Sequence, residues 1–188
     1  MKLTLANKIT IGRFILIPIL VATILSYTPD KDHLRWVALG IYLFAEITDV
    51  IDGFIARHFR QKTKAGSILD PLADKVLFLA TLLCLYKIGG EFHWPGRMPL
   101  WLVVAFFTRD TLLLIGGLLV EVKRGFIEIK PNIWGKLTAF LQVICLVAVF
   151  LQLYVPLFVW GAALAVTVVS GVFYMAEGIK VINNDGNR

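Results

Sequence analysis

The sequence predicts an all-α integral membrane protein, a single domain over residues 1–188 built as a bundle of six transmembrane helices with both termini cytoplasmic. Three observations carry that expectation. The chain is 58% hydrophobic and 17% charged, with a mean hydropathy of +0.77, more apolar than a water-soluble domain of 188 residues sustains. Six apolar segments, each close to the ~20 residues that cross a bilayer, divide it. With the N-terminus placed inside, fourteen Lys and Arg fall on the cytoplasmic side and only Lys31, Arg35, Lys87 and Arg97 outside, the asymmetry of an even number of spans.

The first segment, Ile9 to Tyr27, follows two lysines and has the length of a signal-peptide core. It lacks a small-residue cleavage site and further spans follow, so it reads as a retained helix. The second and third, Leu34 to Ile55 and Ile68 to Ile88, flank the short basic stretch from Arg57 to Gly66, which suits a turn between antiparallel helices at a membrane surface. The remaining three run from Pro99 to Val120, Ile133 to Leu153 and Pro156 to Ile179. Trp36, Trp94, Trp101 and Trp134 lie near span ends, as interfacial tryptophans do. Cys84 and Cys145 stand alone in apolar runs, and His33, His58 and His93 are scattered without metal-ligand spacing. The net charge of +6 serves to orient the chain or to meet anionic lipid headgroups and phosphorylated substrates. With no basic-aromatic module, nucleic acid is not an expected partner.

Four carboxylates interrupt this apolar pattern. Asp49 and Asp52 lie three apart at the end of the second segment, Asp70 and Asp74 four apart at the start of the third, so each pair shares one face of its helix. Converging ionised carboxylates repel unless cations hold them together, and oxygen ligands without Cys or a nearby His suit hard divalent ions such as Mg²⁺ or Mn²⁺. A structural alternative exists for half the set. Asp70 before Pro71 has the pattern of a helix N-cap with proline at the first helical position, and Asp74 would favour a helix N-terminus. Capping leaves Asp49, Asp52 and the small residues beside them unexplained.

The full pattern, Asp49-x2-Asp52-Gly53-x2-Ala56-Arg57-x8-Gly66-x3-Asp70-x3-Asp74, resembles the signature of the CDP-alcohol phosphatidyltransferases with every fixed position filled. The signature spans 26 residues, and the membrane layout resembles the family over nearly the whole chain. The resemblance implies transfer of a phosphatidyl group from CDP-diacylglycerol to a glycerol-type alcohol, foremost glycerol 3-phosphate, giving phosphatidylglycerophosphate and CMP. It implies two bound ions, Mg²⁺ or Mn²⁺: Asp49 and Asp70 bridging both, Asp52 completing the first and Asp74 the second, with Asp74 also the general base. It assigns Gly53, Arg57, Thr63 and Gly66 to the donor. Asn7-x2-Thr10-x2-Arg13 resembles the family's amino-terminal motif, with Asn7 and Thr10 near the nucleotide. A homodimer in membrane lipid is compatible with it.

Arg109 and Asp110 fall near the middle of the fourth span, where a charge costs a few kcal/mol and must face the bundle interior or a wet cavity. Adjacent helical residues diverge, so the two need not pair. With Lys130 and Lys136, Arg109 makes a candidate pocket for an anionic acceptor; the alternative is an ion pair with another helix. Members using glycerol 3-phosphate usually carry Arg-Glu in span four and Gly-Lys-x-Lys-Thr in span five, where this chain has Arg109-Asp110 and Gly135-Lys136-Leu137-Thr138-Ala139. Arg-Asp, Lys130-Pro131 and Gln142 also resemble members that make cardiolipin with phosphatidylglycerol as acceptor. Intramembrane carboxylates alone would also serve a divalent-cation transporter. The glycines and Arg57 at fixed spacing argue for a nucleotide instead.

Overall fold

The computed structural model describes the backbone at residues 5–58, 64–91, 97–124 and 133–183, and side chains at 11–51, 71–91, 97–117 and 133–176. Every apolar segment is a helix there: α1 (Leu5–Leu25), α2 (His33–His58), α3 (Lys64–Glu91), α4 (Leu100–Arg124), α5 (Ile133–Phe150) and α6 (Leu157–Asn183). A 3-10 turn at Pro29–Lys31 links the first two, and the described residues contain no strand. In α4, α5 and α6 the stretches Leu100–Gly117, Ile133–Phe150 and Leu157–Ala176 are long and apolar enough to cross a bilayer, and α1 carries a shorter apolar stretch, Ile11–Leu25.

The outside of the bundle is as apolar as its inside. Leu20, Tyr42, Leu77, Leu102, Phe106 and Leu146 are packed away completely, while Val50, Phe140 and Phe158 stand 69%, 64% and 76% exposed on the surface. Such a coat is costly in water and natural in lipid, and it marks a membrane protein. α1 packs along both α2 and α3, α4 lies against α3 and α6, and α5 touches α2, α3 and α6. The amino-terminal helix therefore lies beside both carboxylate-bearing helices.

One end of the bundle is stapled by polar contacts. α5 finishes with Gln152 in the left-handed region (φ 54°), where Gln152 N–H bonds Val149 O at 2.9 Å and Leu153 N–H bonds Ala148 O at 3.0 Å. This is the Schellman ending, with a side chain other than glycine at its left-handed position. Gln152 Nε2 donates to the Tyr27 hydroxyl at 3.2 Å. Arg35, in the first turn of α2, donates to both oxygens of Asp32 at 2.8 Å and to the Phe150 carbonyl at 3.0 Å, satisfying a helix end that has no intrahelical donor. The Arg35 hydrogen bond holds the Asp32 carboxyl below its usual value. At 1.5 Å per residue, Asp49 lies about 21 Å along α2 from this staple.

Candidate active site

α3 begins at Lys64, so Asp70 and Pro71 lie inside the helix and not at its start. The N-cap alternative for Asp70 therefore fails. Pro71 removes one backbone donor in a segment where neighbouring helices can compensate. Asp74 follows one turn later, and Asp49 stands on α2 one turn beyond Glu46.

Glu46 shows that the two acidic helices converge. It lies within electrostatic reach of Asp49 on its own helix and of Asp74 and Lys75 on α3. The buried hydroxyl of Tyr42, one turn earlier, adjoins Glu46 and finds no well-formed hydrogen bond among the described residues. Two cations answer the concentration of negative charge. Arg13 reaches across from α1, 2% exposed, and forms an ion pair with Asp49. Lys75 stands between Asp74 at 3.7 Å and Asp110 at 3.4 Å.

Asp110 is the hub of a second cluster in the bundle interior. Its carboxylate is fully buried and accepts from Arg109 Nη1 at 2.7 Å and Gln142 Nε2 at 3.1 Å, besides facing Lys75. Arg109 Nη2 donates to Ser170 Oγ at 2.9 Å. One residue each from α3, α5 and α6 is thus tied to adjacent residues of α4. Arg109 and Asp110 need not have paired as helix neighbours, yet they do: the long guanidinium arm bends back to its neighbour, because an ionised group buried among helices must find its counter-charge wherever it can reach. The α5 backbone closes over the pair, and a methyl group at Gly135 would stand 3.6 Å from Arg109 Nη2. Lys136, the next residue, is exposed.

The other expected site residues are placed by backbone only. Asn7 and Thr10 fall in α1, Asp52, Gly53 and Arg57 in α2, and Gly66 and Asp70 in α3, with side chains outside the described residues; Thr63 and Lys130 lie outside them altogether. Among the described residues no three side chains close on one metal position. Asp49 and Asp74 offer oxygen alone, which suits a hard divalent cation, and converge from two helices beside Glu46. Asp52 and Asp70, which would complete the set, have side chains outside the described residues. Sequence reading passed over Glu46, placed Arg13 in the amino-terminal motif and among the orienting charges without a contact of its own, and counted Lys75 only toward orientation. A lone carboxylate inside an apolar segment was the available signal for Glu46, since such groups are rarely retained in a membrane without a task.

Comparison with known proteins agrees with this geometry. The family model described as CDP-alcohol phosphatidyltransferase matches residues 3–173. An Aquifex aeolicus protein named CDP-diacylglycerol–glycerol-3-phosphate 3-phosphatidyltransferase is 33% identical over 184 residues, covering 94% of this chain and 96% of that one. A Mycobacterium tuberculosis protein provisionally named a phosphatidylglycerophosphate synthase is 33% identical over 184 residues, with 95% and 83% covered. Another from that organism, provisionally named a cardiolipin synthase, is 31% identical over 138 residues, with 73% and 60% covered. With a family match over most of its length and acidic residues of the signature converging from α2 and α3, this chain belongs to the CDP-alcohol phosphatidyltransferases, membrane enzymes that act on a CDP-alcohol and an acceptor alcohol.

Proposed function

We propose that the chain transfers the phosphatidyl group of CDP-diacylglycerol to glycerol 3-phosphate, releasing CMP and forming phosphatidylglycerophosphate. The observation that carries the reading is the convergence of Asp49 and Asp74 around Glu46 on helices bearing the complete signature. The acceptor follows the relative that is covered almost end to end, named for glycerol 3-phosphate; the match to the protein named for cardiolipin synthesis is shorter. The whole chain forms one domain of six spans, with both termini and the site at the cytoplasmic face, and pairs with a second copy in the membrane. The charge asymmetry of the loops supports this orientation.

Asp49, Asp52, Asp70 and Asp74 hold two divalent ions, Mg²⁺ or Mn²⁺, which when bound neutralise the diphosphate of the donor. Asn7, Thr10, Gly53, Arg57, Thr63 and Gly66 line the donor site, where glycines leave room for close approach and Arg57 pairs with phosphate oxygens. The acceptor's own phosphate meets Arg109, Lys130 and Lys136. Asp74 takes the proton of the attacking hydroxyl as the new oxygen–phosphorus bond forms and the bond to CMP breaks. Lys75, beside Asp74 and anchored on Asp110, holds that carboxylate at the inner edge of the site.

The test is CMP release by purified protein in mixed micelles containing CDP-diacylglycerol, Mg²⁺ or Mn²⁺ and one acceptor at a time. Release with glycerol 3-phosphate alone is expected. Release with phosphatidylglycerol and none with glycerol 3-phosphate would transfer the assignment to cardiolipin synthesis, and divalent-ion flux in liposomes without CMP release would indicate a transporter.

A further inference from the structure

Arg13 has an environment that a merely orienting charge would not occupy. It is 2% exposed, inside a bundle whose exterior is lipid-like, so its charge has left water almost completely. Its counter-charge is Asp49, a member of the carboxylate set, itself 36% exposed. The ion pair leaves the guanidinium short of partners. Nη1 faces Asp49 off the line of a hydrogen bond, and Nε has no acceptor among the described residues. A guanidinium carries five donors in a fixed fork, and a buried donor without an acceptor costs roughly 1–3 kcal/mol. Such a group is poised for an anion with several oxygens.

Asp49 is in turn committed twice. The functional reading gives it to the divalent ions, whereas the structure pairs it with Arg13. A carboxylate facing a buried guanidinium cannot turn fully to a cation without leaving that guanidinium uncompensated. The position of Arg13 offers a resolution, because α1 packs along both acidic helices and the side chain already reaches Asp49 on one of them.

We propose that Arg13 is the exchangeable counter-ion of this site. With no divalent ion bound, its guanidinium neutralises Asp49 and keeps the carboxylates of α2 from repelling those of α3. When Asp49 engages the divalent ions, Arg13 releases it and takes a phosphate oxygen of the CDP-alcohol in exchange, using the donors that now lack acceptors. Arg13 is thereby a donor-binding residue that also sets the order of assembly: occupancy by cation frees the group that grips the diphosphate. This rests on the phosphatidyltransferase reading and adds a residue and a coupling to it.

The coupling has a sign that can be measured. In Arg13→Gln the competitor for Asp49 is gone, so Mn²⁺ should bind the lipid-free detergent-solubilised protein about 5-fold or more tightly than the parent, the lower range for linked sites. Free Mn²⁺ is followed by its electron paramagnetic resonance signal. The KM for CDP-diacylglycerol should rise about 10-fold or more for the lost charge-assisted contact, with kcat changing much less. Arg13→Lys, which retains a cation able to reach Asp49, should return Mn²⁺ affinity toward the parent value and guards against misfolding of the first variant. Mn²⁺ binding to Arg13→Gln that is unchanged or weaker, or an unchanged KM, overturns the exchange while leaving the phosphatidyltransferase reading intact. A parent protein that binds Mn²⁺ but releases no CMP with any acceptor removes the reading on which the exchange depends.

Discussion

Asp110→Asn is the sharpest probe of the fold beneath the site, because the carboxylate is fully buried and meets three donors on three helices. The substitution keeps the shape and removes the charge. The amide oxygen can still accept one hydrogen bond, but Arg109, 7% exposed, then carries a charge with no counter-ion within reach among the described residues. Losing the 2.7 Å Arg109 bond removes a charge-assisted contact worth roughly 1.5–3 kcal/mol, and stranding the guanidinium raises the total to about 3–5 kcal/mol. For a chain of 188 residues that corresponds to a fall in Tm of roughly 6–20 °C, read by intrinsic fluorescence in detergent. The companion Arg109→Met, Asp110→Asn removes both charges. It should be less damaged than the sum of its singles, because a pair deleted together leaves no orphan on either side. A Tm for Asp110→Asn within ~2 °C of the parent, or strict additivity in the cycle, would refute the claim that this cluster ties the helices together.

Asp74→Asn should bind CDP-diacylglycerol with Mn²⁺ nearly as well as the parent yet release CMP at least ~100-fold more slowly at any metal concentration, whereas Asp52→Asn should recover part of its rate at high Mn²⁺. Equal recovery of both would make Asp74 a ligand only. Lys136→Ala, at an exposed position beside the Gly135–Arg109 contact, should raise KM for glycerol 3-phosphate about 10-fold and leave that for the CDP-lipid unchanged; a shift in the latter alone would move Lys136 to the donor side. At the stapled end, the Asp32 carboxyl is lowered in the folded state, so its contribution is complete above the unfolded value of about 3.9 and vanishes as pH falls through the folded value. Asp32→Asn should therefore melt below the parent at pH 6, with the gap narrowing as pH is taken below the unfolded value of about 3.9, and a gap that stays undiminished in acid would exclude the Arg35 pairing as its cause.

The signature could be read one residue at a time because it is local: Asp49 and Asp52, or Asp70 and Asp74, share a face through helical periodicity alone, and that periodicity survives any arrangement of the other helices. The six apolar segments were equally legible as helices, and those in α4, α5 and α6 have the length and apolarity that a bilayer demands before any packing occurs. Helix ends were less so. α3 starts at Lys64, ahead of the apolar run, and Asp70-Pro71 has a capping pattern that the longer helix overrides. The pairings belong to the tertiary structure. Nothing in the spacing of Arg13, Lys75, Asp110, Gln142 and Ser170 says that they serve two adjoining clusters. They meet because α1 lies against both acidic helices while α3, α5 and α6 each present one polar group toward α4. Periodicity decides which face a charge occupies, and only the packing of separate helices decides which opposite charge it meets there, because a buried ion takes its partner from whatever element lies within a few ångströms.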